Sequence, residues 1–178
     1  RNSYSFQVSS GLRFPLMGRI RGALTLGYKS LLPRTKGING FSGGGGNTSF
    51  HLRVSRVQFR VLYSRDCYFS YWQDSLFFIE GLWGAGVSLY PTSVLRLDYD
   101  YRTSRSDYPG LLLLAFPDGS VQEIERRDWN RRHIVSLVYR IVEEIGIGLT
   151  CNFWQRSSNY VLVERSRFFV GAFLTYEF

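Results

Sequence analysis

A chain of 178 residues suits a single domain, 1–178, and its formal charge of +8 comes mainly from arginine, Lys29 and Lys36 being the only lysines. No stretch approaches the roughly 18 consecutive apolar residues of a transmembrane helix, which excludes a helical span but not a barrel, whose strands bury only every second residue in lipid. Cys67, in a predicted loop, and Cys151, mid-strand on a predicted outer face, suggest neither a disulfide framework nor a metal cluster.

Residues 3–14 set Tyr4, Phe6, Val8 and Leu12 against Ser5, Gln7, Ser9 and Arg13, the period of two of a strand. Pro15 to Gly18 reads as a tight turn. Over 19–30, Ile20, Gly22, Leu24, Leu26 and Tyr28 share one face, with Arg19, Arg21, Ala23, Thr25, Gly27 and Lys29 on the other. Leu31 to Asn47, with Gly43-Gly44-Gly45-Gly46, reads as a mobile surface loop; a phosphate-cradling loop would need a Lys that Asn47-Thr48-Ser49 does not supply. Phe50, Leu52 and Val54 alternate, then the phase slips at Ser55-Arg56, and Val57, Phe59, Val61 and Tyr63 resume it. Such a slip marks a very short turn between two strands.

Asp66 to Ser75 is an aromatic-rich loop or strand extension, and a strand follows from Leu76 to Tyr90. After a turn at Pro91-Thr92-Ser93, Leu95, Leu97, Tyr99 and Tyr101 oppose Arg96, Asp98, Asp100 and Arg102. Residues 106–130 carry turn signals at Pro109-Gly110 and Pro117-Asp118-Gly119 and read as the longest excursion, with Leu111 to Leu114 as a β-extension of it. His133, Val135, Leu137, Tyr139 and Ile141 then alternate with Arg132, Ile134, Ser136, Val138 and Arg140. A turn at Glu143-Glu144 leads to Ile145, Ile147, Leu149, Cys151 and Phe153, which oppose a face that includes Trp154 and Arg156. Asn159 to Arg165 reads as a loop.

The last stretch has the clearest pattern. Phe168, Val170, Ala172, Leu174, Tyr176 and Phe178 form an apolar face, against Phe169, Gly171, Phe173, Thr175 and Glu177. About ten residues, tilted, cross a bilayer core, and terminal rings then sit at interfacial depth. An edge strand of a soluble β-protein is the competing reading. Short connections alternate with long ones along the chain, the asymmetry of outer-membrane barrels, with tight periplasmic turns and longer outer loops. An aromatic content of 17% fits interfacial girdles, although a soluble β-core also uses such residues.

The expectation is an all-β chain: an antiparallel transmembrane β-barrel with about nine strands. Such barrels usually have an even strand number, so at least one upstream strand is expected to be missing from a larger barrel, with these residues as its C-terminal portion; a miscounted strand is the competing explanation. The start at Arg1, without initiator Met or signal peptide, reads as a processed or truncated chain.

Two features resemble the C-terminal region of the second-type beta-barrel porin family: Ser64-Arg65-Asp66 with Tyr68 to Trp72, and the block from Arg165 to Phe178. The resemblance covers about residues 48–178 and is strong only in the terminal block, which many unrelated barrels share. It implies a bacterial outer-membrane location, an assembly signal in Phe168, Val170, Leu174, Tyr176 and Phe178 read by the barrel assembly machinery, and an association with exopolysaccharide export components of the periplasm.

With apolar faces on lipid, the lumen would be lined by Arg13, Arg19, Arg21, Lys29, Arg53, Arg60, Arg96, Arg102, Arg132, Arg140, Arg156 and Arg167, with Glu80, Asp98, Asp100 and Glu177 as fewer acids. A basic confined wall concentrates anions, and arginine pairs bidentately with carboxylate. The expected function is therefore a channel for anionic solutes or acidic polysaccharide, with no cofactor. Two other uses of the arginines stay open: pairing with Asp98 and Asp100 to fill a closed barrel, and a structural or adhesive barrel with a plugged lumen. Catalysis is not expected: His51 and His133 are the only histidines, and Ser136, three residues from His133, falls on the opposite face. Nucleic-acid stacking would place arginines and aromatics on one face, whereas here they separate, so no nucleic acid is expected.

Overall fold

The computed structural model describes residues 3–16, 18–33, 40–70, 75–115, 120–142 and 144–176. Nine strands follow in chain order: β1 (Ser3–Leu16), β2 (Ile20–Pro33), β3 (Phe41–Val54), β4 (Val57–Phe69), β5 (Phe77–Leu89), β6 (Leu95–Ala115), β7 (Val121–Arg140), β8 (Ile145–Ser158) and β9 (Arg165–Tyr176). Each pairs antiparallel with the next in one sheet, and β1 and β9 are its open edges. A 3-10 turn over Val161–Val163 leads into β9.

The phase slip at Ser55-Arg56 is a two-residue turn, closed by Val54 opposite Val57. Ser55 takes a positive φ of 51°, which two-residue hairpin turns demand. Neighbouring turns at this end are tied together: Arg53 N–H donates to Arg19 O at 3.1 Å, and Arg56 Nη1 to Pro91 O at 2.9 Å. Pro15 lies inside β1 opposite Arg21, not in the turn. An edge strand tolerates its missing N–H.

Two expected loops are largely strand, and the aromatic-rich segment after Asp66 continues β4 as far as Phe69. Gly43 to Gly46 belong to β3, paired with Lys29 to Leu26 of β2, and only 34–39 of the expected loop lie outside the described residues. Side-chain alternation vanishes in a glycine run, yet ladder hydrogen bonds need only backbone. Close approach also favours glycine here, since a Cβ on Gly45 would sit 2.8 Å from Arg65 O. Cys67 is in β4, not a loop, because β4 and β5 pair up to Phe69 opposite Phe77. The excursion at 106–130 is a long hairpin of β6 and β7, reaching Ala115 opposite Val121. Tyr108-Pro109-Gly110 form a bulge across from Arg126, so the turn signal at Pro109-Gly110 marks a register shift. The signal at 117–119, Trp72, Glu143, Glu177 and Phe178 lie outside the described residues.

The two faces of the sheet differ in kind. One carries Leu12, Leu24, Phe50, Phe59, Trp83, Tyr99, Leu137, Leu149 and Leu174, all of them exposed, Leu12 to 70% and Leu174 to 77%. The other carries most of the polar and charged groups and is the sheltered one, with Ser88, Ser104 and Ser106 buried in mid-sheet. A protein that folds around an apolar core arranges its faces the other way round. The one buried apolar cluster among the described residues is small: Leu31, Cys67, Leu76 and Phe77, with Phe41 and Ile79 against it.

The exposed apolar face is a belt with an upper limit. Outward positions change from Tyr63 to Arg65 on β4, from Tyr101 to Thr103 and Arg105 on β6, and from His133 to Arg131 on β7. They change from Phe153 to Gln155 on β8 and from Phe168 to Ser166 on β9. Aromatic side chains gather at that limit, Tyr63 against Trp83 at 4.4 Å and Tyr101 against His133 at 4.9 Å between ring centroids. Above it, Arg127 approaches both Asp107 and Glu125 on the outer side of the β6–β7 hairpin.

Candidate functional site

Strand register puts Arg13, Arg21, Lys29, Arg53, Arg60, Arg96, Arg102, Arg132, Arg140, Arg156 and Arg167 on the sheltered face, while Arg19 sits in the β1–β2 turn. They do not form one uniform wall. Lys29, Arg60 and Arg96 are neutralised by acids of the same face. Lys29 Nζ lies 3.3 Å from Asp66 and donates to Cys67 O. Arg60 reaches across β5 to Asp100 at 3.1 Å and lies 3.7 Å from Asp98, whose other oxygen takes Arg96 Nε at 2.9 Å. Ser88 joins the network, accepting from Arg60 Nη1 and donating to Asp98. Pairing with Asp98 and Asp100 therefore accounts for Arg60 and Arg96.

β5 makes that network possible by carrying little side chain there. Gly86 stands directly between Arg60 and Asp100, and a Cβ on it would overlap Asp100 Oδ1. Further along the sheet, Phe173 covers Gly148 across the β8–β9 ladder, and Phe169 covers Gly171. Aromatic rings laid over sheet glycines keep these positions packed, which explains the two phenylalanines on the polar face of β9.

Most of the remaining basic residues fall into two groups. At β1–β3, Arg13 and Arg21 line an open hollow with Ser49 and His51, and Arg53 stacks 5.5 Å from the Tyr90 ring centroid. At β6–β9, Arg102, Arg132, Trp154 and Arg167 stand directly opposite one another on successive strands. Arg156 and Arg167 approach the Trp154 ring at 5.1 and 5.9 Å. Arg140 lies at the short-turn end of β7, beside a small pocket that also includes Glu144.

One layer of this face was not expected from the sequence. Near the long-connection end, Lys29 of β2 stacks on Tyr68 of β4, and from there each step is one strand further along: Tyr68 on Phe78, Phe78 on Tyr108 and Tyr108 under Arg126 at 4.3 Å. Arg126 is fully buried and grips Asp128 with two nitrogens, at 2.9 and 2.5 Å, while Ser158 donates to the same carboxylate at 2.7 Å. Burial above all pushes the Tyr108 phenol up to about 12. The Arg-x-Asp spacing of Arg126 and Asp128 on one strand face was the available signal, hidden by reading the segment as loop.

Gln58 contacts His51 at 3.3 Å, and the Tyr99 hydroxyl contacts His133 at 3.0 Å. Ser136 donates instead to Thr150 at 2.9 Å, on the face away from His133. Both cysteines are free thiols, Cys67 buried and Cys151 exposed. Phe168, Val170, Leu174 and Tyr176 of the terminal block all project from the exposed face of β9. Comparison with protein-family models, with curated proteins and with solved structures gives no match, so the reading of this face rests on its geometry.

Proposed function

We propose that the nine strands are part of the wall of a bacterial outer-membrane β-barrel whose lumen passes anionic solutes or acidic polysaccharide. The carrying observation is the inverted sheet: an apolar face exposed on every strand, bounded on β4 and β6–β9 by aromatics and then polar or charged groups, opposite a sheltered charged face. In water such an exposed face far exceeds the few hundred Å² that monomers leave uncovered. In a bilayer it is the lipid contact. From Ile145 to Phe153 on β8, nine residues at about 3.3 Å each and tilted about 40° rise roughly 23 Å, close to the height of an outer-membrane apolar band.

Lipid is then the main partner, the exposed β9 residues Phe168, Val170, Leu174 and Tyr176 suit recognition by the barrel assembly machinery, and periplasmic export components would meet the short-turn end. β1 and β9 run in the same direction, so antiparallel closure requires an odd number of further strands between them.

The test is conductance of the folded protein in a planar bilayer under a salt gradient. Stable conductance with anion preference, reduced by Arg21→Glu and Arg132→Glu, is the expected result. Silence from a folded, heat-modifiable barrel overturns the open channel and leaves the structural barrel with a plugged lumen. The buried Arg126–Asp128 pair and the Arg60–Asp98–Asp100 network, which consume charge inside the face, favour that second reading.

A further inference from the structure

The arginines of β6–β9 are placed unlike the others. Arg102 faces Arg132 directly across the ladder, and like charges directly opposite destabilise a strand pair. The sheltered-face acids nearest along these strands are already engaged, Asp100 by Arg60 and Asp128 by Arg126. Among the described residues none of Arg102, Arg132, Arg156, Arg165 and Arg167 forms an ion pair. Arg102 Nε is shut off from solvent without a hydrogen-bond partner.

The neighbours orient the guanidinium groups without neutralising them. Arg132 Nε donates to Asn152 at 3.0 Å, and Arg156 Nε to Asn130 at 3.1 Å, with Asn130 held in turn by Ser104. Tying down Nε leaves the terminal N–H groups for an outside acceptor. Trp154, approached by Arg156 and Arg167, fixes the lateral position of both.

We infer that Arg102, Arg132, Arg156 and Arg167, arranged around Trp154, form a binding subsite for an extended polyanion carrying carboxylates, lying across the strands of the lumen wall. Neighbouring strands are about 4.8 Å apart, so the row from β6 to β9 offers cations along roughly 14 Å. That is a ladder for several carboxylates in series, not a pocket for one. Arginine's planar fork suits each contact. The subsite rests on the reading that this face lines a lumen, and it locates within that lumen where an acidic chain is held.

The experiment is titration calorimetry on the full-length folded protein in detergent, with oligogalacturonate, monomeric galacturonate and a neutral oligosaccharide as probes. Saturable binding of the oligomer is expected, with much weaker binding of the monomer and none of the neutral chain. The double variant Arg132→Gln, Arg167→Gln should weaken oligomer binding by at least about tenfold, the scale of losing one or two charge-assisted contacts. Arg132→Lys, Arg167→Lys should lose less. Arg127→Gln, the loss of one charge on the outer side of the hairpin, should change nothing. Equal binding by the Gln variant, equal binding of the neutral chain, or a monomer as tight as the oligomer would overturn the proposal. Conductance of the same preparations separates the two readings. Arginine-dependent binding without conductance sinks the channel alone, and conductance without binding sinks the subsite alone.

Discussion

At the scale of single residues, the sheltered face turns on what β5 leaves out. Arg60 on β4 and Asp100 on β6 are separated by a whole strand, and they meet because Gly86 has no side chain between them. Gly86→Val would place carbon where Asp100 Oδ1 lies, so two partly sheltered charges lose each other at once. We expect about 1–3 kcal/mol of overpacking cost, plus some loss of the ion network, read as a lower midpoint in urea unfolding from lipid. Gly81→Val on the same strand is the control, because a Cβ there meets nothing within 4 Å. Equal destabilisation by both would show that the effect is strand propensity and not the bridge. The possibility of Arg60 and Arg96 pairing with Asp98 and Asp100 was legible from alternation alone. The role of Gly86 was not, because it depends on which residue of β4 stands opposite which of β6, and register across three strands is not written in any one of them.

The strands themselves were legible wherever large and polar side chains alternate, as in Ile20 to Lys29 or Ile145 to Arg156, and illegible where the pattern had no side chains or no consistent partner. Gly43 to Gly46 have no face to read. The upper parts of β6 and β7 put Arg105, Asp107, Arg127 and Arg131 outward, which looks like loop composition because these strands have left the apolar belt. That difference in surroundings is measurable. Leu149 and Leu113 are similarly exposed, at 56% and 62%, but Leu149 lies inside the belt of β8 whereas Leu113 lies opposite Glu123 on the hairpin. In lipid, Leu149→Arg should cost about 2–4 kcal/mol, the range for arginine near a bilayer midplane, and Leu113→Arg close to nothing. Unfolding titrations from vesicles report both. Two equal, small values would mean that the belt faces water, and the membrane reading would fail with it.

For the molecule as a whole, the sheet edges pose the constraint. A bilayer core holds no water to satisfy strand-edge N–H and C=O groups, and each one left open costs several kcal/mol, so β1 and β9 cannot both stay uncovered there. Both strands run from the long-connection end to the short-turn end, since an unbroken antiparallel meander joins them through an even number of reversals. Closing β1 directly on β9 would make a parallel seam in an otherwise antiparallel wall. Closure by further antiparallel strands keeps the two apart. Cysteine cross-linking decides between these. Val170→Cys stands directly opposite the native Cys151, within disulfide reach, and serves as the positive control for exposure and chemistry on β9. With Cys151→Ser in place, Val170→Cys should form no disulfide with cysteines placed singly at Val8, Leu12, Phe14 or Leu16 of β1 in the vesicle-inserted protein. An efficient cross-link from any one of them would show direct parallel closure, and the even-stranded, larger barrel would be wrong. The lumen would then be that of a narrow nine-stranded barrel, in which the arginine row of β6–β9 faces the opposite wall at close range and a polymer has little room to pass.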